Sequence, residues 1–327
     1  MQPPEFWNHR HGRISAPLLR ALLTPPAWLV SAAGRWRHRR AAPVKASVPV
    51  ICIGNVTLGG TGKTPLAIAL AGLLAARGHR PVFLSRGHGG REAGPLRVDP
   101  DRHDARDVGD EALLLAAAAP AIIARDRVAG AQMAIGEGAS VIIMDDGFQN
   151  PSLYKDLALL VVDPQAGLGN GRVFPAGPLR EPLADALSRA SALIVMGKGA
   201  LSFKTALPVL RARLVNDQAP PKGPLFAFAG IGRPQKFFDA LQAAGANLVQ
   251  ATSFADHHRY SAREINTLRA WAGAEKAQLI TTQKDYVRLP EALRAGILAW
   301  PVQAHFDEPQ VLLALLAPVL DTQEANI

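Results

Sequence analysis

Val48-Pro-Val-Ile-Cys-Ile-Gly-Asn-Val-Thr-Leu-Gly-Gly-Thr-Gly-Lys-Thr64 is the stretch that decides the fold. An apolar run of strand length leads into a glycine-rich turn. From about Lys63 it continues as a helix with Leu66, Leu70, Leu73 and Leu74 on one face, closing at Gly78. Gly59, Gly60 and Gly62 let the backbone turn tightly and aim N–H groups at phosphate oxygens. Thr57, Leu58, Gly59, Gly60, Thr61, Gly62, Lys63 and Thr64 form the expected cradle, and ATP with Mg²⁺ is the expected ligand. Lys63 can reach the outer phosphates, and the Thr64 hydroxyl can ligate the metal. Thr57 stands where the G-x-x-x-x-G-K-[ST] pattern has its first glycine. A glycine-rich turn without a ligand is the bland alternative; the strand before it and the helix after it speak against that.

Outward from the loop, apolar runs at 48–53, 81–85, 120–124, 140–145, 158–163 and 192–197 alternate with helix-like stretches. That alternation predicts an α/β fold: a P-loop NTPase-type parallel sheet flanked by helices. Val141-Ile-Ile-Met-Asp-Asp146 is a buried-strand pattern ending in two carboxylates, so Asp145 or Asp146 is expected to hold Mg²⁺, directly or through water. Turn formation is the plainer role for such a pair. The turn-rich stretch 216–224 divides the chain into an amino-terminal arm (1–45), a nucleotide-binding domain (46–215) and a smaller α/β domain (216–327) closing over the site. In the last unit a strand is expected at 225–229, a helix at 234–244 and strands near 247–251 and 277–282. Ser261-Ala-Arg-Glu264 is a capping box that starts a further helix.

The 327 residues are 48% hydrophobic, enough for two ordinary cores, and the formal net charge is +9. Most of that charge lies in the arm. Arg10, Arg13, Arg20, Arg35, Arg37, Arg39, Arg40 and Lys45 stand there against Glu5 alone. Ile14 to Ala33 is apolar but interrupted by Arg20 and by Pro25-Pro26, too broken for a membrane span. Two short amphipathic helices are expected, lying on an anionic membrane with Trp7, Trp28 and Trp36 as anchors. A core-packing arm and a signal peptide or true span are the competing readings. No nucleic-acid module accompanies the basic arm, so no nucleic-acid partner is expected, nor is an obligate protein partner. Cys52, the one cysteine, excludes an internal disulfide and reads as core filling in a reducing compartment.

Several further motifs make the chain similar to the tetraacyldisaccharide 4'-kinases of lipid A synthesis. They run in order as GNVTLGGTGKTP (54–65), SRGHGG (85–90), VGDEALLL (108–115), DDGFQ (145–149), GNGRVFPAGPLREPL (169–183), FAGIGRPQKFF (228–238), FADHHRY (254–260) and TTQKDYVRL (281–289). The resemblance spans nearly the whole chain. It implies transfer of the ATP γ-phosphate to the 4'-hydroxyl of an acylated glucosamine disaccharide at the cytoplasmic face of the bacterial inner membrane. It further implies Asp110 as the base, with His257 as its coupled partner across the cleft; His258 is the alternative to His257. Glu111 is implied to support the metal or nucleotide shell, and Glu181 to help bind Mg²⁺ unless it forms a structural pair with Arg180. Arg86, Arg91, Gln149 and Arg180 are candidate substrate or phosphate contacts; a solvated turn is the rival for Arg86 and Arg91. Gln283-Lys284-Asp285 is expected near the nucleotide or the hinge. Gln283 and Asn150 depart from the glutamate and histidine usual in the family.

A membrane-associated switch ATPase shares a GGTGKT loop and an amphipathic helix and is the alternative. Such proteins carry a signature lysine just before the paired glycines, where Leu58 stands here.

Overall fold

The computed structural model describes residues 4–8 and 16–321. Its chain begins with a 3₁₀ turn, Glu5–Trp7, followed by α1 (Pro17–Arg40). The nucleotide-binding half then runs β1 (Val50–Asn55), α2 (Lys63–Ala75), β2 (Pro81–Ser85) and β3 (Leu96–Arg97). It continues through α3 (Ala105–Val108), α4 (Asp110–Ala116), β4 (Ala121–Ile123), α5 (Arg127–Gly136) and β5 (Val141–Asp145). β6 (Leu157–Val162), α6 (Leu183–Leu187), β7 (Ala192–Met196) and β8 (Val209–Val215) complete it.

β1 is buried at every position because its two faces serve two cores. Ile51 and Ile53 pack with Leu66, Leu70 and Leu74 of α2. Val50 and Cys52 pack on the opposite face with Ile142 and Met144. β1 lies between β6 and β5, parallel to both, so the chain order switches direction at its carboxyl end. Crevices outside such a switch point are where ligands bind in open α/β sheets.

The second half has its own parallel sheet. It runs β9 (Pro224–Ala229), α7 (Pro234–Ala243), β10 (Asn247–Ser253), α8 (Ala262–Ala274), β11 (Gln278–Thr282), α9 (Gln283–Arg288) and β12 (Ile297–Trp300). The strand order is β10-β9-β11-β12. Ser261 and Glu264 form the reciprocal capping box at the start of α8.

The sheets do not divide at the expected boundary. β13 (Gln303–Phe306) pairs antiparallel with β8, so the first sheet reads β13-β8-β7-β6-β1-β5-β2-β4-β3. α10 (Pro309–Leu320) follows it and buries Leu312, Leu316 and Leu320 in the core that α2 also fills. The tail of the 216–327 unit therefore packs with the first sheet. The second sheet is a lobe inserted between β8 and β13.

The arm also differs from expectation. One continuous helix, α1, replaces the two short ones, with Pro25 and Pro26 inside it. Ala21 and Leu22, whose carbonyls the prolines leave without their i+4 donors, are exposed, so water can take the donors' place. Leu23, Ala27 and Ser31 face the protein, whereas Leu18, Leu22, Trp28 and Leu29 face out. Trp7 is not an interfacial anchor: it is buried, and its indole N–H donates to Pro175 O at 3.1 Å. Arg10, Arg13 and Ile14 lie outside the described residues.

Candidate active site

Between β1 and α2 the chain turns through Val56 to Gly62, and Gly62 caps α2 with φ +82°. The first turn of α2 leaves free N–H groups pointing into the crevice, as an anion site needs. Asn55 shapes this loop: its Nδ2 donates to Thr57 O at 2.7 Å, and its Oδ1 accepts from Lys63 Nζ at 3.1 Å. The Thr64 hydroxyl donates to Asp145 Oδ2 at 2.9 Å. Asp145 Oδ1 is buried with no hydrogen-bond partner. Burial, reinforced by the Glu111 charge and opposed by Lys63, pushes the Asp145 carboxyl up to about 7. An orphaned carboxylate oxygen beside a hydroxyl is a donor set that suits a hard cation. Among the described residues no cluster of three or more His, Cys, Asp or Glu could hold a metal. Mg²⁺ fits here nonetheless, since it takes one or two protein oxygens and completes its shell with phosphates and water.

Asp146 has the opposite environment. It adopts φ +54° and receives Arg180 Nη1 on both oxygens, at 2.9 and 3.0 Å, with Lys63 Nζ at 3.5 Å. Burial alone would raise this carboxyl, but Lys63 and Arg180 hold it below its ordinary value. Of the two adjacent acids, Asp146 is thus the ion-pair partner and Asp145 the one with a free oxygen.

Across the crevice, α4 opens with Asp110 and Glu111. Gly109, ahead of it, sits at φ +87°, and a Cβ there would meet His88 O at 2.3 Å. Asp110 is buried, and its Oδ2 lies 3.2 Å from His257 Nδ1. Arg288 Nε donates to the same oxygen at 2.7 Å, and Lys284 Nζ is 3.8 Å away. Burial would raise the Asp110 carboxyl, but the His257 hydrogen bond, Lys284 and Arg288 hold it far below the usual carboxylate range. Glu111 pairs with Lys284 at 3.1 Å. His257 lies in the left-handed region at φ +58°, its N–H donating to Gly230 O at 3.1 Å. His258 turns away, 3.0 Å from Glu264 and stacked on Phe254. The phosphate loop, Glu111, Asp146 and His257 line one cleft of about 2950 Å³, several times a single small-molecule pocket.

The profile of the tetraacyldisaccharide-1-P 4'-kinase family (LpxK) matches residues 19–321. The chain belongs to that family. The tetraacyldisaccharide 4'-kinase of Hyphomonas neptunium is 52% identical over 325 residues, covering 98% of each chain. That of Rhodospirillum centenum is 53% identical over 332 residues, covering 99% of this chain and 98% of its own. A crystal structure of the "apo" form of LpxK from Aquifex aeolicus in complex with ATP matches with a TM-score of 0.76 at 27% identity. The match covers 92% of this chain and 99% of that one.

Other residues of the 4'-kinase motifs fall into two groups. Arg86, Gln149 and Arg180 line the cleft. Gln149 Nε2 bridges Asn55 O and Glu181 Oε1, both at 3.0 Å. Glu181 takes Arg189 on its other oxygen at 2.5 Å, so both its oxygens have protein partners. Arg91 pairs with Asp107 at 2.5 Å and stands off the cleft lining, because the turn after β2 directs it to α3. Asn150 closes a turn by accepting from Ser152 N at 3.0 Å.

Sequence reasoning missed Asn55, Arg288 and a second contact between the lobes. In that contact Asp163, just past β6, receives Arg233 at 2.5 Å and Lys236 at 3.0 Å. Arg233 also approaches Gly60 O of the phosphate loop at 3.5 Å. A carboxylate following a buried strand was the available signal for Asp163. For Asn55 and Arg288 the signal was their place in the motifs at 54–65 and 281–289.

Proposed function

We propose that this protein transfers the γ-phosphate of ATP to the 4'-hydroxyl of a tetraacylated glucosamine disaccharide 1-phosphate, at the cytoplasmic face of the bacterial inner membrane. The observation that carries this reading is that Asp110 meets His257 where the imidazole lines the same cleft as the phosphate loop, in a chain of the 4'-kinase family. The loop N–H groups and Lys63 bind and neutralise the phosphates, holding the γ-phosphorus for in-line attack. Thr64 and Asp145 are the residues that would hold Mg²⁺, which supplies charge neutralisation at the phosphate oxygens. Asp146 keeps Lys63 and Arg180 aligned beside the loop.

A sugar hydroxyl is a weak nucleophile and needs its proton taken as the new P–O bond forms. We assign that proton to the Asp110–His257 pair, entering at the imidazole. Two cationic neighbours, Lys284 and Arg288, make Asp110 a poor base, and it is buried, whereas His257 lines the cleft. With its Nδ1–H donated to Asp110, the ring leaves Nε2 as the acceptor, and the carboxylate stabilises the imidazolium that forms. ADP departs as the leaving group. Closing the two lobes around this site excludes water and limits idle hydrolysis.

The lipid end of the acceptor is matched by the outer face of α1. Leu18, Leu22, Trp28 and Leu29 are exposed there, and Arg37, Arg39 and Arg40 crowd the helix end. No helix among the described residues is long and apolar enough to cross a membrane. We assign α1 to an anionic membrane surface, where apolar side chains enter the interface and arginines meet headgroup charge.

The deciding experiment follows label from [γ-³²P]ATP into a tetraacyl-disaccharide 1-phosphate in detergent micelles with Mg²⁺. Transfer that disappears in Lys63→Ala is the expected result. Hydrolysis of ATP by the folded chain with no labelled lipid would overturn the reading and favour a switch ATPase.

A further inference from the structure

We propose that Arg288 is a positioning residue of this reaction: its guanidinium holds both the Asp110 carboxylate and the anchor of the His257 loop in the geometry that proton transfer needs. The inference rests on the kinase reading of the site. Arg288 ends α9 in the second lobe, and its side chain is 5% exposed, so nearly every N–H it carries must find an acceptor inside the protein. Its acceptors come from three separate segments. Nε and Nη2 donate to Asp110 Oδ2 at the start of α4, the former at 2.7 Å. Nη1 donates to Asp285 Oδ1 at 2.9 Å and to Gly230 O, just past β9, at 2.7 Å.

The Gly230 carbonyl is also the acceptor for the His257 N–H at 3.1 Å. One planar fork therefore fixes the carboxylate directly and the imidazole through its backbone. Nη2 also lies 3.3 Å from His257 Nδ1. A guanidinium only donates, so Asp110 Oδ2 is the natural acceptor for both the Nη2 hydrogen and the Nδ1 hydrogen of the ring.

The fork itself is braced. Asp285 is fully buried and accepts from Tyr260 Oη at 2.9 Å, Gly230 N at 3.0 Å and Thr282 Oγ1 at 2.7 Å. Pairing with Asp285 and Gly230 alone would occupy one end of Arg288 within its own lobe. The other end reaches across the lobe boundary to Asp110. A lysine has one ammonium and cannot span Asp110, Asp285 and Gly230 at once.

The test is a double-mutant cycle on the full chain, read as labelled phosphate transfer to the disaccharide lipid. Arg288→Lys, Arg288→Met, Asp110→Asn and Asp110→Asn with Arg288→Met are compared with the unaltered protein. Arg288→Lys and Arg288→Met are expected to lower kcat about a hundredfold, the loss typical of an ångström-scale misplacement. KM for ATP and for lipid should hold within about twofold, since Arg288 is buried behind the cleft lining. In the Asp110→Asn background, Arg288→Met should cost less than about threefold more, because the group it positions is already gone.

A rise in KM with kcat kept, or the full hundredfold loss repeated on top of Asp110→Asn, would assign Arg288 to lobe docking and overturn the proposal. Urea midpoints check folding, and if Arg288→Met does not fold, Arg288→Lys and Asp285→Asn complete the cycle. Absence of transfer by the unaltered protein would overturn the kinase reading instead; the same cycle is then read on ATP hydrolysis, with the same two outcomes for Arg288.

Discussion

Cys52 has no exposed surface, and burial pushes its thiol up to about 12, so no thiolate is present near neutral pH. Iodoacetamide should leave the native chain unmodified, with labelling that rises only along the unfolding transition. Thr64 is the more consequential residue. Thr64→Val keeps the shape but removes the donor to Asp145 Oδ2, leaving a buried carboxylate with two unpartnered oxygens. A stability loss of about 1–3 kcal/mol is expected by denaturant unfolding. Weaker Mg²⁺ binding is expected in the same variant by titration of Mg²⁺-dependent ATP turnover. Lys63, Thr64 and the Asp145–Asp146 pair were legible in the sequence as candidates because each belongs to a motif, but which of the two acids keeps a free oxygen was not. Asn55 and Arg288 were not. Both sit inside the motifs at 54–65 and 281–289, but their partners, Lys63 and Thr57 for one and Asp110 and Gly230 for the other, are set by the fold. Glu181 was legible as a carboxylate among prolines, but only the fold reveals that Arg189 claims it.

Short elements carry the site, and two glycines govern their placement. Gly54 lies in β1, and a Cβ there would sit 2.3 Å from Phe148 Cβ, so the phosphate-loop strand and the Asp145–Gln149 motif touch through this point. Gly54→Ala should destabilise by about 1–3 kcal/mol, the usual cost of overpacking, in a urea titration. Gly109 precedes α4 at φ +87°. Gly109→Ala combines backbone strain with a clash and should displace Asp110, lowering transfer as well as stability. At the arm, Trp7 pins the Glu5–Trp7 turn to the loop that leads to Arg180. Trp7→Phe loses the hydrogen bond to Pro175 and should cost about 1 kcal/mol in thermal unfolding. β8 escaped the sequence reading because Val209-Leu-Arg-Ala-Arg-Leu-Val215 interleaves arginines with its buried positions, Leu210 and Ala212. The alternation is that of a half-buried strand near a sheet edge, which local composition disguises as loop.

Among the described residues, ionic contacts join the lobes at Asp110 and the adjacent Glu111 and again at Asp163. Burial would raise the Asp163 carboxyl, but Lys236 and Arg233 hold it below its ordinary value of 3.8. A depressed carboxylate stabilises the folded chain above the unfolded pKa, and that contribution is lost as pH falls through the folded value. Asp163→Asn should therefore reduce stability near neutrality and flatten the loss of stability below about pH 4, in thermal melts taken across pH. Small-angle scattering should show a larger mean dimension for the same variant if the contact holds the lobes together. At this scale the sequence by itself determined the strand–loop–helix of the phosphate site, the alternation that makes a parallel sheet, the second α/β unit and the basic, broken-apolar arm. Each of those is written in contiguous residues, where spacing, glycines and charge act over a turn or a strand. Only the tertiary structure decided that β13 and α10 return to the first sheet, that α1 runs unbroken through its prolines and that Trp7 is buried. It alone decided also that Arg288 reaches Asp110 from 178 residues away. Those outcomes depend on which apolar faces and buried charges must be satisfied by distant partners, and local spacing carries no record of that.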